Sequence, residues 1–117
     1  MSIVSELVSM PGVIAAGEYA YRGDRFSYKG DLQPEQARMA SIMCRSTTMG
    51  VRMQADMLAS IYPDCGITPS RGWAVRGPQF SVCVVANVFC FISAEAPFND
   101  IMQFMNKRLH NDVSDMV

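Results

Sequence analysis

Histidine and cysteine are the residues from which this chain would have to build hydrolytic, redox or metal chemistry. The only histidine, His110, lies near the C-terminal end of the sequence, so a Ser-His-Asp or Cys-His site would have to form there. The four cysteines form no CxxC pair of the kind that structural zinc sites use: they are Cys44, Cys65, Cys83 and Cys90. We therefore predict that the protein is not an enzyme and holds no metal or cofactor.

The sequence contains no phosphate-binding loop and no convincing pair of catalytic carboxylates. Gly12 and Gly17 frame a glycine-bearing segment, but it lacks the lysine of a GxxxxGK[ST] phosphate loop. We interpret Asp112 and Asp115 as solvated charges of a tail rather than as a general acid-base pair. Three cysteines lie in apolar stretches and are expected to be reduced and buried, whereas Cys65 falls in a polar linker.

Composition excludes several classes of function. Apolar residues make up 50% of the chain and charged residues 18%, which predicts a folded protein whose surface must be partly apolar, as in a protein that associates with itself. The net charge of −1 gives no reason to expect nucleic acid as a partner. No apolar run is long enough for membrane insertion, and acidic Glu6 argues against a signal peptide, so we expect a cytoplasmic protein.

Residues 34–61 are predicted to form one long helix, the largest element of the chain, because they are rich in good helix formers. Arg38, Arg45 and Arg52 recur every seven residues and define a solvated stripe. The apolar residues roughly opposite are expected to form the core face: Ala40, Met43, Val51 and Leu58, with Met39 and Met57 on its border. Ile42 and Met49 fall inside the charged stripe, which is typical of a helix that faces a partner. We expect Gly50 to mark close approach of a neighbouring backbone.

The other elements follow from periodicity and turn residues. We predict helices over residues 2–10 and from residue 97 onward, and strands over residues 12–21, 26–29, 71–76, 80–86 and 88–92. The order α-β-β-α-β-β-β-α predicts an α+β fold with a five-stranded antiparallel sheet, the long helix on one face and the two terminal helices on the other. We expect a single domain over residues 1–110 and a flexible tail over residues 111–117.

The order of elements and several short motifs resemble the roadblock / dynein light chain superfamily of profilin-like domains. The motifs are Leu7, Met10-Pro11-Gly12-Val13, Ala15-Ala16 and Tyr28-Lys29-Gly30. The match covers about residues 2–109 and includes the long helix, which is rich in alanine and methionine, and three closing strands. More narrowly, the chain is similar to an uncharacterised bacterial branch in which segments like PGV-AAGE, YKGDL and GWAV occur together.

The resemblance implies a homodimer. Roadblock-like domains typically pair their third strands edge to edge, so that two sheets join and the long helices lie side by side. In this sequence the third strand is residues 71–76. The predicted interface therefore comprises Ile42, Arg45, Met49 and Arg52 of the long helix and Arg71, Trp73 and Val75 of the strand.

The resemblance also implies a regulatory role without an active site. Such dimers act as platforms that scaffold complexes, sit beside small Ras-like GTPases or regulate GTP hydrolysis. A protein partner is therefore expected, with a small GTPase as one candidate. No motif in this sequence allows a GTPase-regulating role to be transferred residue by residue, and a fold does not by itself determine a function.

Two alternative functions, from other functional classes than an interaction module, stay open. Profilin-like sheets are related to ligand-binding sensory domains, and ten methionines would make an adaptable pocket, so a small-molecule sensor or carrier is the second hypothesis. Thiol redox chemistry at Cys65 or Cys44 is the third. A ligand that raises stability would favour the second hypothesis, and reaction of the native protein with a thiol reagent would favour the third.

Overall fold

The computed structural model describes residues 2–109. Its elements, in chain order, are α1 (Ile3–Val8), β1 (Val13–Tyr19), β2 (Phe26–Gly30), α2 (Pro34–Ile61), β3 (Gly72–Arg76), β4 (Phe80–Val85), β5 (Val88–Ser93) and α3 (Phe98–Leu109). The predicted order of elements is confirmed, α2 has the predicted bounds, and the ends of the other elements differ from the sequence-based bounds by at most two residues. His110 and the predicted tail lie outside the described residues.

The five strands form one antiparallel sheet in the order β2-β1-β5-β4-β3. Three of the four pairings between neighbouring strands are hairpins: β1–β2, β3–β4 and β4–β5. The fourth pairing, between β1 and β5, joins the β1–β2 hairpin to the other three strands at the centre of the sheet. The β4–β5 turn contains only Ala86 and Asn87, with Ala86 at φ +56°. As a result β2 and β3 are the two edges of the sheet, and the predicted edge position of the third strand is correct.

A helix layer covers each face of the sheet, as predicted. On one face α1 and α3 pack over a core whose largest members include Leu7, Ile92, Ile101 and Met105. On the other face α2 packs over a smaller cluster of buried residues: Tyr19, Ala40, Cys44, Val84 and Phe89. Strands β4 and β5 contribute side chains to the cores on both faces of the sheet, because successive side chains of a strand point to opposite faces.

The buried face of α2 differs from the predicted one. Its buried residues are small: Ala37, Ala40, Ser41, Cys44, Thr48 and Ala55. Met43 and Leu58, predicted to lie in the core, are 61% and 43% exposed, and Met39 and Met57 are also exposed. The sheet supplies the bulk through Tyr19 and Phe89, so only short side chains fit between it and the helix.

The prediction for Gly50 is also wrong within this chain. An added Cβ at Gly50 would meet no atom within 4 Å, so no described backbone packs against it.

Among residues 2–109 no helix combines the length and apolar character that a membrane span requires.

Candidate interaction surface

Strand β3 pairs with β4 and leaves its other edge open within the described chain. The carbonyl of Arg71 accepts a hydrogen bond from Ala86, and the N–H of Gly77 donates one to Phe80. Because backbone groups of an antiparallel strand alternate in direction, the N–H and C=O groups of Ala74 must point away from β4, towards the open edge. An open edge of this kind can accept another strand.

Trp73 holds this edge strand against α2. Its indole Nε1–H donates to the Thr48 hydroxyl at 2.9 Å, and the Tyr19 hydroxyl donates to the same oxygen at 3.0 Å. Thr48 is 7% exposed, so a single buried hydroxyl accepts from two aromatic side chains of β1 and β3. Burial raises the pKa of Tyr19, which keeps its hydroxyl protonated and able to donate.

A groove of about 570 Å³ runs between α2 and strands β3, β4 and β5. Its lining residues are Glu35, Gln36, Met39, Ala40, Met43, Cys44, Thr47, Trp73, Val75, Phe80, Val82 and Phe91. The Phe80 ring stacks on the Phe91 ring with centroids 5.9 Å apart, yet Phe80 remains 46% exposed and Val75 61% exposed. The groove is therefore mainly apolar and opens at the free edge of the sheet.

The outward face of α2 continues this apolar surface. Its large apolar residues are all between 46% and 66% exposed: Met39, Ile42, Met43, Met49, Met53, Met57 and Ile61. Met39 and Met43 belong both to this face and to the groove. We call the groove and this outward face together the apolar surface. Exposed apolar residues grouped in this way commonly mark a site of association.

The structure separates the predicted site residues into two groups. Ile42, Met49 and Val75 are exposed on or beside the apolar surface, and Trp73 lines its groove. The second group is the three arginines, which lie elsewhere. Arg45 donates to the Tyr21 carbonyl at 2.6 Å, and the Arg52 guanidinium lies 5.2 Å from the Tyr21 ring centroid. Arg52 and Arg71 line a cleft of about 330 Å³. Arg45 and Arg52 thus contact the segment after β1 rather than the open edge.

Sequence reasoning missed several residues of the apolar surface, chiefly Phe80, Met43, Met53 and Met57. Apolar residues occur on all sides of residues 34–61, so periodicity could not show which of them face the sheet. Phe80 is the first residue of β4 and its side chain projects to the α2 face beside Val75, a position that only the register of β3 and β4 reveals.

Three of the four cysteines, Cys44, Cys83 and Cys90, are buried and pack inside the protein. Burial raises the pKa of the Cys44 thiol to about 12, and a hydrogen bond with Cys83 together with burial raises the pKa of Cys90. Cys65 is exposed in the linker after α2, as predicted, and all four cysteines are free. Among residues 2–109 no three His, Cys, Asp or Glu side chains are grouped so that they could hold a metal ion.

Comparison with protein-family models places residues 3–107 in a family described as an uncharacterized conserved protein, DUF2173. The chain belongs to this family. A crystal structure of a Roadblock/LC7 domain from Streptomyces avermitilis superimposes on this DUF2173 chain with a TM-score of 0.63, over 92% of this chain and 91% of that one. Their sequence identity is 18%, so the likeness is one of fold, and it confirms the predicted roadblock-type architecture. No curated protein matches the sequence.

Proposed function

We propose that this DUF2173 chain is a non-catalytic interaction module that works as a homodimer, formed through β3 and the apolar surface. The observation that carries the proposal is the continuity between an open strand edge and the exposed apolar groove beside it. A second copy satisfies both at once, since its own β3 can pair with the open edge while its apolar surface covers the groove. Such a two-fold contact uses the same patch on both copies and closes on itself.

The outward face of α2 supports a helix of the second copy as the neighbour. Gly50 lies on this face. A glycine in a helix interior lowers helix stability by about 1 kcal/mol relative to alanine. No atom of this chain lies within 4 Å of where a Cβ at Gly50 would be, so packing within the chain does not explain the glycine. Ser46, one turn earlier, is also small and exposed. Small residues spaced four apart let two helices approach closely, so the α2 helices are expected to cross near Gly50.

The partner of the dimer is expected to be another protein. The platform role is what the resemblance to the roadblock superfamily implies, and the likeness to a Roadblock/LC7 domain supports it at the level of the fold. A small Ras-like GTPase remains one candidate partner on the basis of the resemblance alone. The exposed arginine side of α2 would stay accessible in the dimer, because Arg38 and Arg45 face the β1–β2 turn and not β3.

The solution mass measured by light scattering over a dilution series tests the dimer. We expect a mass near twice 12.9 kDa that persists on dilution. Val75→Asp should shift the equilibrium towards monomer, because it introduces a charge into the exposed apolar surface. Ala74→Pro should do the same by removing the outward N–H of the edge strand without breaking its hydrogen bonds to β4.

Ile67→Asp is the matched control, because Ile67 is also an exposed β-branched residue but lies in the linker and not in the groove lining. Circular dichroism of each variant verifies that the monomer remains folded. A wild-type mass of 12.9 kDa at all concentrations, or variants that remain dimeric, would contradict the proposed dimer.

A further inference from the structure

A cleft that is distinct from the one lined by Arg52 and Arg71 lies between the β1–β2 turn and α2 and measures about 400 Å³; we call it the arginine cleft. Its lining residues are Tyr19, Gly23, Asp24, Arg25, Phe26, Arg38, Ser41, Ile42 and Arg45. Three arginines and one aspartate give this lining a formal charge of +2, whereas the whole chain carries −1. The arginine cleft is therefore positively charged although the protein as a whole has a net negative charge.

Arg45 is held in place at the back of this cleft. Its Nε–H donates to the Tyr21 carbonyl at 2.6 Å, which fixes the plane of the guanidinium. Gly23, at φ +81°, lies directly against it, and an added Cβ would come within 3.0 Å of the Arg45 Cζ. The two terminal nitrogens of Arg45 make no hydrogen bond within residues 2–109. The guanidinium is thus oriented in advance for an anion, which reduces the entropy lost on binding.

The other charged residues leave the cleft receptive to an anion. Arg25 makes no side-chain hydrogen bond or salt bridge in the described chain. Arg38 pairs with Glu35 at 2.5 Å, but both side chains are largely exposed and such a pair contributes little. The one acidic lining residue, Asp24, is paired with Arg22 at 2.6 Å, and this hydrogen bond lowers the pKa of its carboxyl group.

Apolar groups complete the lining. Tyr19 is buried, Phe26 is half-buried and stacks on Tyr28 with centroids 6.3 Å apart, and Ile42 forms part of the rim. A pocket of this size with apolar walls and a few convergent polar groups is typical of sites for small molecules. Guanidinium groups bind carboxylate and phosphate through paired hydrogen bonds.

We propose that the arginine cleft binds a small organic anion, whose phosphate or carboxylate group lies between Arg25, Arg38 and Arg45 and whose apolar part lies against Phe26 and Ile42. The arginines of this site are separate from the groove of the proposed dimer, since Arg38 and Arg45 leave α2 on the side of the β1–β2 turn and Met43 and Thr47 leave it on the side of β3. Ile42 lies where the arginine cleft borders the apolar surface. The module would then carry a ligand-dependent input in addition to its association surface.

Titration of the isotope-labelled protein with phenyl phosphate, benzoate and inorganic phosphate, followed by NMR, tests this site. Phenyl phosphate and benzoate separate the two anionic groups, and inorganic phosphate shows what the apolar part adds. We expect at least one of the two aromatic anions to give saturable shifts at the Nε–Hε signals of Arg38 and Arg45 and at the amides of residues 22–26. Its affinity should exceed that of inorganic phosphate, and benzyl alcohol, which is neutral, should give no such shifts.

Arg25→Gln and Arg38→Gln are each expected to weaken binding about tenfold, the loss of one charge-assisted hydrogen bond. Both side chains are exposed, so these variants should fold normally, whereas Arg45→Gln could disturb the turn. Lys107→Gln removes the same charge from the exposed face of α3 and serves as the control. Shifts that do not saturate, or that persist equally in Arg25→Gln, Arg38→Gln and Lys107→Gln, would overturn the anion site while leaving the dimer untouched.

Discussion

At the scale of single residues, Thr48 is the link between three elements. Its hydroxyl accepts from Trp73 at 2.9 Å and from Tyr19 at 3.0 Å, so it connects α2 to both β1 and the edge strand β3. Within residues 2–109 neither the Tyr19 hydroxyl nor the Trp73 indole donates to another acceptor, and Tyr19 is 2% exposed. A buried donor without an acceptor is costly, so the position of β3 depends on this hydroxyl.

Thr48→Val is therefore expected to lower the free energy of unfolding by about 2–4 kcal/mol, because it leaves the Tyr19 hydroxyl and the Trp73 indole without their acceptor while preserving shape. Urea unfolding followed by tryptophan fluorescence measures the change. Thr48→Ser keeps the hydroxyl, loses only a methyl group, and should cost about 1 kcal/mol. Equal losses in the two variants would show that packing, and not the hydrogen bonds, makes Thr48 important.

Cys44 makes stability depend on pH in the alkaline range. The pKa of its thiol is about 12 in the folded protein, because burial disfavours the thiolate, and near 8.5 in an unfolded chain. The folded state therefore holds the proton more tightly, and the stabilisation present below about pH 8.5 is lost as the pH rises towards 12. The raised pKa values of Tyr19 and Cys90 act in the same direction.

Between about pH 7 and about pH 9.5, titration of Cys44 should remove about 1.5 kcal/mol of stability. Urea unfolding at the two pH values measures this, and Cys44→Ala should reduce the loss by that amount. Cys65→Ala is the control, because Cys65 is exposed and should leave the pH dependence unchanged. A pH dependence that is the same in Cys44→Ala and wild type would rule out Cys44 as its source.

At the scale of elements, α2 is a helix with two apolar sides of different kinds. Its inner side carries small residues that fit against the aromatic side chains of the sheet, and its outer side carries the long, flexible methionines. Methionine adapts to irregular surfaces, so its concentration on the exposed side favours contact with another molecule. In the proposed dimer, α2 would therefore serve the fold with its inner side and association with its outer side.

Gly50→Ala separates these two uses of α2. It should stabilise the monomer by about 1 kcal/mol, since an alanine is favoured in a helix interior and its Cβ meets nothing in this chain. In the dimer the same Cβ would stand between the two α2 helices and raise the dissociation constant. Urea unfolding at low protein concentration measures the stability of the monomer, and sedimentation equilibrium measures the dissociation constant of the dimer. Asp56→Ala, on the arginine side of the helix, is the control. A tighter or unchanged dimer would contradict the helix crossing at Gly50.

At the scale of the whole molecule, the two faces of the sheet are covered unequally. The core beneath α1 and α3 has eleven buried residues, whereas the core beneath α2 has five, with Trp73, Val82 and Phe91 only partly buried beside it. A single helix is too narrow to cover five strands, so the β3 side of this face remains open. A second copy would bury these side chains and complete the layer, which is why the dimer is proposed there.

Much of this protein could be predicted from its sequence. Turn residues and alternation located all five strands, and the pattern of elements with the motifs around Pro11 and Tyr28 predicted the roadblock-type fold. These features are local, because a glycine, a proline or an alternating run constrains its own segment whatever lies nearby. The exposed cysteine and the edge position of β3 followed from the same kind of reasoning.

Only the tertiary structure decided which side of α2 faces the sheet. The helix has apolar residues all round, so its amphipathicity was ambiguous, and the choice depended on the size of the side chains that Tyr19 and Phe89 leave room for. The groove beside Phe80 and the convergence of Arg25 with Arg38 and Arg45 join residues far apart in the chain. Such sites arise from strand order and register, which bring together segments that share no local pattern.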